Sequence, residues 1–184
     1  MKVVGLLAPR NGHGNKFFSK SKLEKYCEKV IKYEDKDEIN SYNPDWVIIL
    51  CEDEIFSPRM DYMFNSLVLN EYVNVWTSNF LYFWDLEDTY RIDGLWKNQR
   101  FPIMYKNIPE IDYKWEEGNL IPSNQPGPIE SSSVPVFSYR YLEDLSRFKE
   151  WRKFNQNRIN FNYITQMYYD SLMDDDIELE RWVE

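Results

Sequence analysis

The run Trp46-Val47-Ile48-Ile49-Leu50 constrains this chain more than any other stretch, because it is apolar without a break and is followed closely by the adjacent acids Glu52, Asp53 and Glu54. Asn43-Pro44 ahead of it forms a turn, since proline fixes its own φ and biases the residue before it away from helix. Apolar residues without alternation predict a strand covered on both faces, the setting of a mainly parallel sheet layered with helices. Such sheets present ligands at the carboxyl ends of their strands. Acids gathered there repel one another unless a cation or a proton offsets them, so Glu52, Asp53 and Glu54 are candidate ligands for a hard divalent metal. A solvated turn is the competing reading of the same triplet.

At 184 residues the chain suits a single domain spanning 1–184, large enough for a central sheet with helices on both sides. No apolar run reaches the roughly 20 residues that cross a bilayer, and the apolar stretch within Met1 to Pro9 is too short for a signal peptide. A soluble cytoplasmic protein is expected, in the host cytoplasm if the chain is viral, with no membrane partner. Cys27, on the apolar face of an expected helix, and Cys51, at a strand end, read as reduced thiols.

The formal charge of −9 disfavours DNA or RNA as a partner, because phosphate affinity comes mostly from Lys and Arg. Acids crowd the last fifteen residues: Asp170, Asp174, Asp175, Asp176, Glu178, Glu180 and Glu184. The lysines between Lys16 and Lys32 and the basic residues from Arg147 to Arg158 read as the wet sides of helices. Aromatic residues make up 17% of the chain and gather between Tyr72 and Trp115. Core packing claims most such rings, yet flat faces also suit a nucleobase or the C–H face of a sugar.

Lys2 to Ala8 reads as a buried strand closed by the turn-rich Pro9 to Gly14. From Lys16 to Lys32, apolar residues at Leu23, Tyr26, Cys27, Val30 and Ile31 have helical spacing, giving one βαβ unit from Lys2 to Cys51. Tyr33 to Ile39 is a charged surface segment. Met60, Met63, Phe64, Leu67 and Val68 mark a second helix. Val73 to Trp84 and Tyr90 to Ile92 read as β-structure, and Phe101 to Tyr105 as a strand that Pro102 places at a sheet edge. Gly118 to Pro135 reads as a long loop. Val134 to Tyr139 predicts a last strand, and Leu142 to Asn157 and Asn160 to Met173 predict helices before an acidic tail.

Four blocks, from Asp45 to Phe56, Phe83 to Trp96, Arg100 to Tyr105 and Val134 to Tyr141, resemble in order those of family 2 type glycosyltransferases, which have a GT-A fold. Asp45-Trp46-Val47-Ile48-Ile49-Leu50-Cys51-Glu52-Asp53-Glu54 is similar to the family's metal segment, and Tyr90-Arg91-Ile92-Asp93-Gly94-Leu95-Trp96 to its acceptor-side block. Arg100-Phe101-Pro102-Ile103-Met104-Tyr105 resembles the strand that follows, and Val134-Pro135-Val136-Phe137-Ser138-Tyr139-Arg140-Tyr141, leading into the basic helix at Arg147 to Trp151, resembles the closing strand. Cys51 stands where the family has its first Asp, and Ser138 where it has a His.

The resemblance implies an α/β, GT-A-like three-layer fold with a central mixed, mainly parallel sheet. Residues 1–56 would be the nucleotide and metal half, 57–157 the acceptor half, and 158–184 a C-terminal helix and tail. It implies a metal-dependent, inverting transfer of sugar from a nucleotide donor, UDP-sugar above others, to an acceptor hydroxyl on a glycan, a small molecule or a hydroxylated base in phage-type DNA. Mn²⁺ or Mg²⁺ would sit on Asp53, with Glu52 or Glu54 substituting for the missing acid. Arg10, Asn11, Arg91 and Ser138 would contact the donor, and Trp84 and Trp96 would stack on sugar, with Trp76 as a further ring.

Asp93 is the candidate general base, because Gly94 permits a sharp turn and the Trp96 ring would wall off a pocket that raises its pKa. A plain Asp-Gly turn is the alternative, and Glu71, Asp85 and Asp88 are rival bases. Arg91 either pairs with a carboxylate or meets a phosphate. His13, between Gly12 and Gly14, lacks the rest of a P-loop and takes no role. The replacements at Cys51 and Ser138 keep open a second class of function, a catalytically silent relative that binds a nucleotide or a partner.

Overall fold

The computed structural model describes residues 1–9, 18–84, 88–107, 113–116, 119–122, 127–139, 167, 170–172, 174 and 176–183. The chain divides into two compact units. The first contains Met1–Phe80 and Arg100–Phe137, and the second contains Leu81–Gln99 and Ser138–Glu184. Among the described residues no helix is long and apolar enough to cross a membrane.

The architecture is α/β, with a mixed central sheet and, among the described residues, few helices. Strand β1 (Val3–Ala8) is followed by α1 (Phe18–Leu23), β2 (Lys29–Lys32), α2 (Glu38–Tyr42), β3 (Trp46–Cys51), β4 (Glu54–Phe56) and α3 (Met60–Val68). Then come β5 (Val75–Tyr82), β6 (Thr89–Arg91), β7 (Arg100–Lys106), β8 (Tyr113–Glu116), β9 (Asn119–Pro122), β10 (Ile129–Ser131), β11 (Val136–Ser138) and β12 (Leu179–Arg181). The large sheet has the order β2-β1-β3-β7-β5-β11-β4, with β10 added on β5. β1 lies parallel to both β2 and β3, whereas β7 runs antiparallel to its neighbours β3 and β5.

Every residue of β1 and of β3 is buried, as expected of strands covered on both faces. Their ladder runs from Val3 opposite Trp46 to Ala8 opposite Cys51, so the two carboxyl ends finish level. The turn before β3 follows from local chemistry: Asn43 ends α2 with φ of 48°, its N–H bonds to Ile39 O, and Pro44 prevents the helix from continuing. Two tryptophans fasten α3. The indole N–H of Trp46 donates to Val68 O at 3.0 Å and that of Trp76 to Leu67 O at 3.1 Å, satisfying carbonyls that a helix end leaves without intrahelical partners.

Several expectations change. The helix predicted over Lys16 to Lys32 is only the short α1, and Lys29–Lys32 is strand β2 with Ile31 buried and both lysines exposed. β-Branched Val30 and Ile31 fit a pleated sheet edge, and their register with the preceding apolar residues merely imitates helical spacing. Two crossovers, β1 to β2 and β2 to β3, therefore precede the acids where one was expected. Cys27 follows the turn after α1, where burial pushes its thiol up to about 12.

Pro102 is not at an edge, because β7 lies between β3 and β5. The pairing slips beside it, from Trp76 opposite Met104 to Thr77 opposite Pro102, and such an irregularity lets a central strand hold a residue with no N–H. The expected loop from Gly118 to Pro135 contains β9, which pairs with β8, and β10, which pairs with β5. The acidic tail contains β12, antiparallel to β6. The helices expected over 142–157 and most of 160–173 lie outside the described residues, as does His13.

Gly5 is closely packed against the first crossover. A Cβ there would meet Cys27 Sγ and Leu23 Cδ1 at 3.3 Å and Val30 Cγ2 at 3.4 Å. Gly5→Val should lower stability by about 1–3 kcal/mol in urea unfolding, because overpacking forces neighbours off their preferred positions. The same substitution should cost measurably less in a Cys27→Ala background, where one of the contacting groups is removed.

Candidate functional site

In the first unit, the level carboxyl ends of β1 and β3 meet at a place the topology singles out. The chain leaves β1 for β2 on one side, and β3 lies on the other side of β1, so the strand order reverses between them. Open α/β sheets bind ligands outside the carboxyl ends of their strands at such a reversal. Glu52 N–H extends the ladder by donating to Ala8 O at 3.2 Å. The chain then turns at Glu52 and Asp53 into β4, and the Glu54 carboxylate accepts the Cys51 N–H at 2.8 Å.

This turn gathers three donors. Cys51 Sγ and carboxylate oxygens of Asp53 and Glu54 all lie within 4.8 Å of one another. Cys51 and Glu54 are buried, whereas Asp53 is partly exposed. Ligands 2.0–2.6 Å from a shared cation stand at most about 4–5 Å apart, so the group fits one metal ion. Of the expected ligands, Asp53 and Glu54 are brought together and Glu52 is not part of the group. Cys51, noted in the sequence only as a replacement, supplies the third donor. Its signal was the spacing Cys-x-Asp-Glu across a turn, which needs the fold-back of Glu54 to become visible.

The second unit contains Asp93, and there the geometry departs from expectation. Arg91 is fully buried and its guanidinium forks onto Asp93, with Nε to Oδ1 at 2.6 Å and Nη2 to Oδ2 at 2.7 Å. Nη1 donates to Ser171 O at 2.8 Å and Nη2 also reaches Asp174 Oδ2 at 3.2 Å. The guanidinium carbon lies 4.8 Å from the centre of the Trp84 ring and 5.1 Å from that of Trp96. Those rings meet edge to face at 5.0 Å, Tyr82 adds a second edge contact to Trp96, and Trp96 Nε1 donates to Ser171 Oγ at 3.0 Å.

The hydrogen bonds from Arg91 hold the Asp93 carboxyl below the usual carboxylate range. Partial burial opposes the shift, while the Arg91 charge and backbone N–H groups add to it. A base poised by a raised pKa was expected, and the direction is the reverse because the wall of the pocket is a cation. The Asp-Gly turn is real: Gly94 has φ of 49° and Trp96 N–H bonds to Asp93 O at 2.9 Å. Trp84 and Trp96 are buried core rings, not a stacking platform, and buried Arg91 serves carboxylates instead of a phosphate.

Ser138 is also fully buried, and its hydroxyl has no hydrogen-bond partner among the described residues. Asp88 pairs with Arg181 at 2.5 Å and Glu71 is exposed. Arg10, Asn11 and Asp85 lie outside the described residues. Trp76 is buried and tied to α3.

The lowered Asp93 pKa fixes a pH dependence. A carboxylate whose folded pKa lies below its unfolded value, near 3.9, stabilises the fold above that unfolded value and loses the contribution as pH falls through the folded pKa. Asp93→Asn should therefore cost about 2–4 kcal/mol at pH 7, since Arg91 would keep only part of its compensation. The gap between wild type and variant in urea unfolding should narrow below about pH 4. No protein-family model matches the sequence, and comparison with curated proteins finds no match.

Proposed function

We propose that the protein is a nucleotide-sugar-dependent glycosyltransferase of compact GT-A-like build, with its donor at the carboxyl ends of β1 and β3. The observation that carries this reading is the convergence of Cys51, Asp53 and Glu54 beside the strand-order reversal. The mixed sheet, with parallel β2, β1 and β3 beside antiparallel β7, and the ordered sequence blocks support it. A divalent cation held by these residues would offset charge growing on the departing diphosphate, as a Lewis acid. The fold contributes a partly exposed carboxylate, Asp53, on the solvent side and two buried donors behind it.

The donor set also sharpens the choice of metal. Thiolate is a softer ligand than carboxylate and favours metals later in the first transition row, so Mn²⁺ suits this group better than Mg²⁺. The acceptor is a hydroxyl whose carrier is open, with DNA disfavoured by the net charge of −9. Asp93 belongs to a different unit from Asp53 and is engaged by Arg91, so the proton-accepting role is left unassigned.

A second reading, a silent GT-A-like protein that binds nucleotide or a partner, is favoured by Cys51 in place of an acid. Thermal unfolding with UDP, GDP and CMP, with and without metal, together with hydrolysis of the matching sugar nucleotides, separates the two. The transferase reading expects a nucleotide-dependent rise in Tm that needs metal, together with donor hydrolysis. Asp53→Asn should abolish the metal-dependent part. Mn²⁺ should act at lower concentration than Mg²⁺, and Cys51→Asp should reduce that difference. A metal-dependent rise without hydrolysis favours the silent nucleotide binder, and no rise with any nucleotide sinks the transferase reading and leaves the silent, partner-binding one.

A further inference from the structure

The acidic end of the chain is built into the second unit by contacts of several kinds. β12 pairs antiparallel with β6, with Leu179 opposite Arg91, Glu180 opposite Tyr90 and Arg181 opposite Thr89. Ile92 N–H donates to Glu178 O at 3.0 Å at one end of the pairing, and Trp182 N–H donates to Asp88 O at 2.7 Å at the other. Arg181 pairs with Asp88 at the surface. Earlier in the same segment, Ser171 gives its carbonyl to Arg91 and its hydroxyl to Trp96, and Asp174 gives a carboxylate oxygen to Arg91.

Burial is uneven along this segment. All of β12 is exposed, while Arg91, which the segment helps to neutralise, is 1% exposed. A short, exposed two-stranded ribbon has little stability of its own. A buried guanidinium, by contrast, is costly without hydrogen-bonding acceptors, because it has given up its water. Ser171 and Asp174 supply two of those acceptors. The segment is thus attached through a buried cation beside the buried side chain of Leu172, while its β-pairing is exposed.

We propose that Ser171, Asp174 and Glu178 to Trp182 form a strap that docks on β6 and detaches from it as one cooperative unit, with the Arg91 guanidinium as its latch. Detachment breaks both terminal hydrogen bonds together and uncovers the Nη1 and Nη2 donors whose acceptors in the strap are Ser171 O and Asp174 Oδ2. The strap therefore controls access to Arg91 and withdraws the Glu178 N–H that lies 3.4 Å from Asp93 Oδ1. Regions held by few buried apolar contacts and by exposed hydrogen bonds are the ones that open below the global unfolding free energy. The inference does not depend on the proposed sugar transfer.

Amide hydrogen exchange on the full chain tests it. The Ile92 and Trp182 amides report the two ends of the strap, and the Phe83 amide, bonded to Ser138 O at 2.9 Å, reports a hydrogen bond of the same unit that the strap does not make, on a residue that bridges β6 at Tyr90. Arg91→Lys keeps the charge and loses the fork. It should speed exchange at Ile92 and Trp182 by a common factor of roughly 10–100-fold, with Phe83 unchanged. Asp174→Asn, at a half-exposed position, should move the same two amides together by roughly 2–5-fold, and it decides the matter alone if Arg91→Lys does not fold. Unequal factors at the two ends, no change in either amide, or equal acceleration at Phe83 would each overturn the proposal.

Discussion

The ladder between β1 and β3 is the constraint on which the first unit depends. Six consecutive pairs, buried on both strands, set these two chains side by side with their carboxyl ends level. Parallel strands cannot be joined by a tight turn, so the connection through β2 must travel the length of the sheet and return. That return places β2 beyond β1 and leaves the reversal of strand order between β1 and β3. The position of the donors follows. Cys51 is the last residue of the ladder, and the chain has only Glu52 and Asp53 in which to turn before β4 begins.

The parts of this fold legible in the sequence are those where one physical demand dominates. Trp46 to Leu50 and Val3 to Ala8 are apolar throughout because both faces are covered, and α3 shows its period because one side meets the sheet. The misread parts are those where two demands coincide. Val30 and Ile31 satisfy a helical spacing with Leu23 and Cys27 and also the needs of a sheet edge, and only the sheet partner decides between them. Pro102 is forbidden in a regular central strand, yet the slip beside Trp76 and Thr77 is a long-range property that no local window contains. β12 carries almost no apolar signal, since its exposed residues are held by backbone pairing and by charges elsewhere in the chain.

The aromatic richness has a similar explanation. Rings in the stretch around Trp84 and Trp96 suggested ligand stacking, whereas their main companion is Arg91. A guanidinium placed over indole faces gains cation–π attraction while its donors stay in plane for carboxylates. Core tryptophans thereby accommodate a charge that leucine or isoleucine would have excluded. The acids of the C-terminal segment then acquire a structural task, because a buried Arg91 needs oxygen acceptors from outside its own strand.

Asp53 and Asp93 look alike in the sequence, each an acid beside a turn and close to a tryptophan-containing strand or turn, yet their surroundings assign them opposite chemistry. Around Asp93 the first neighbour is a cation, so the carboxylate is held ionised and its lone pairs are directed inward to Nε and Nη2. Around Asp53 the gathered donors are a thiol and a second carboxylate, groups of the same kind that crowd within 4.8 Å. A carboxylate that completes an ion pair has its electrostatic need met by the fold. One that stands beside a thiol and a second carboxylate at the end of β3 belongs to a donor set that suits a cation, and that difference in partners makes the end of β3 the stronger candidate for chemistry.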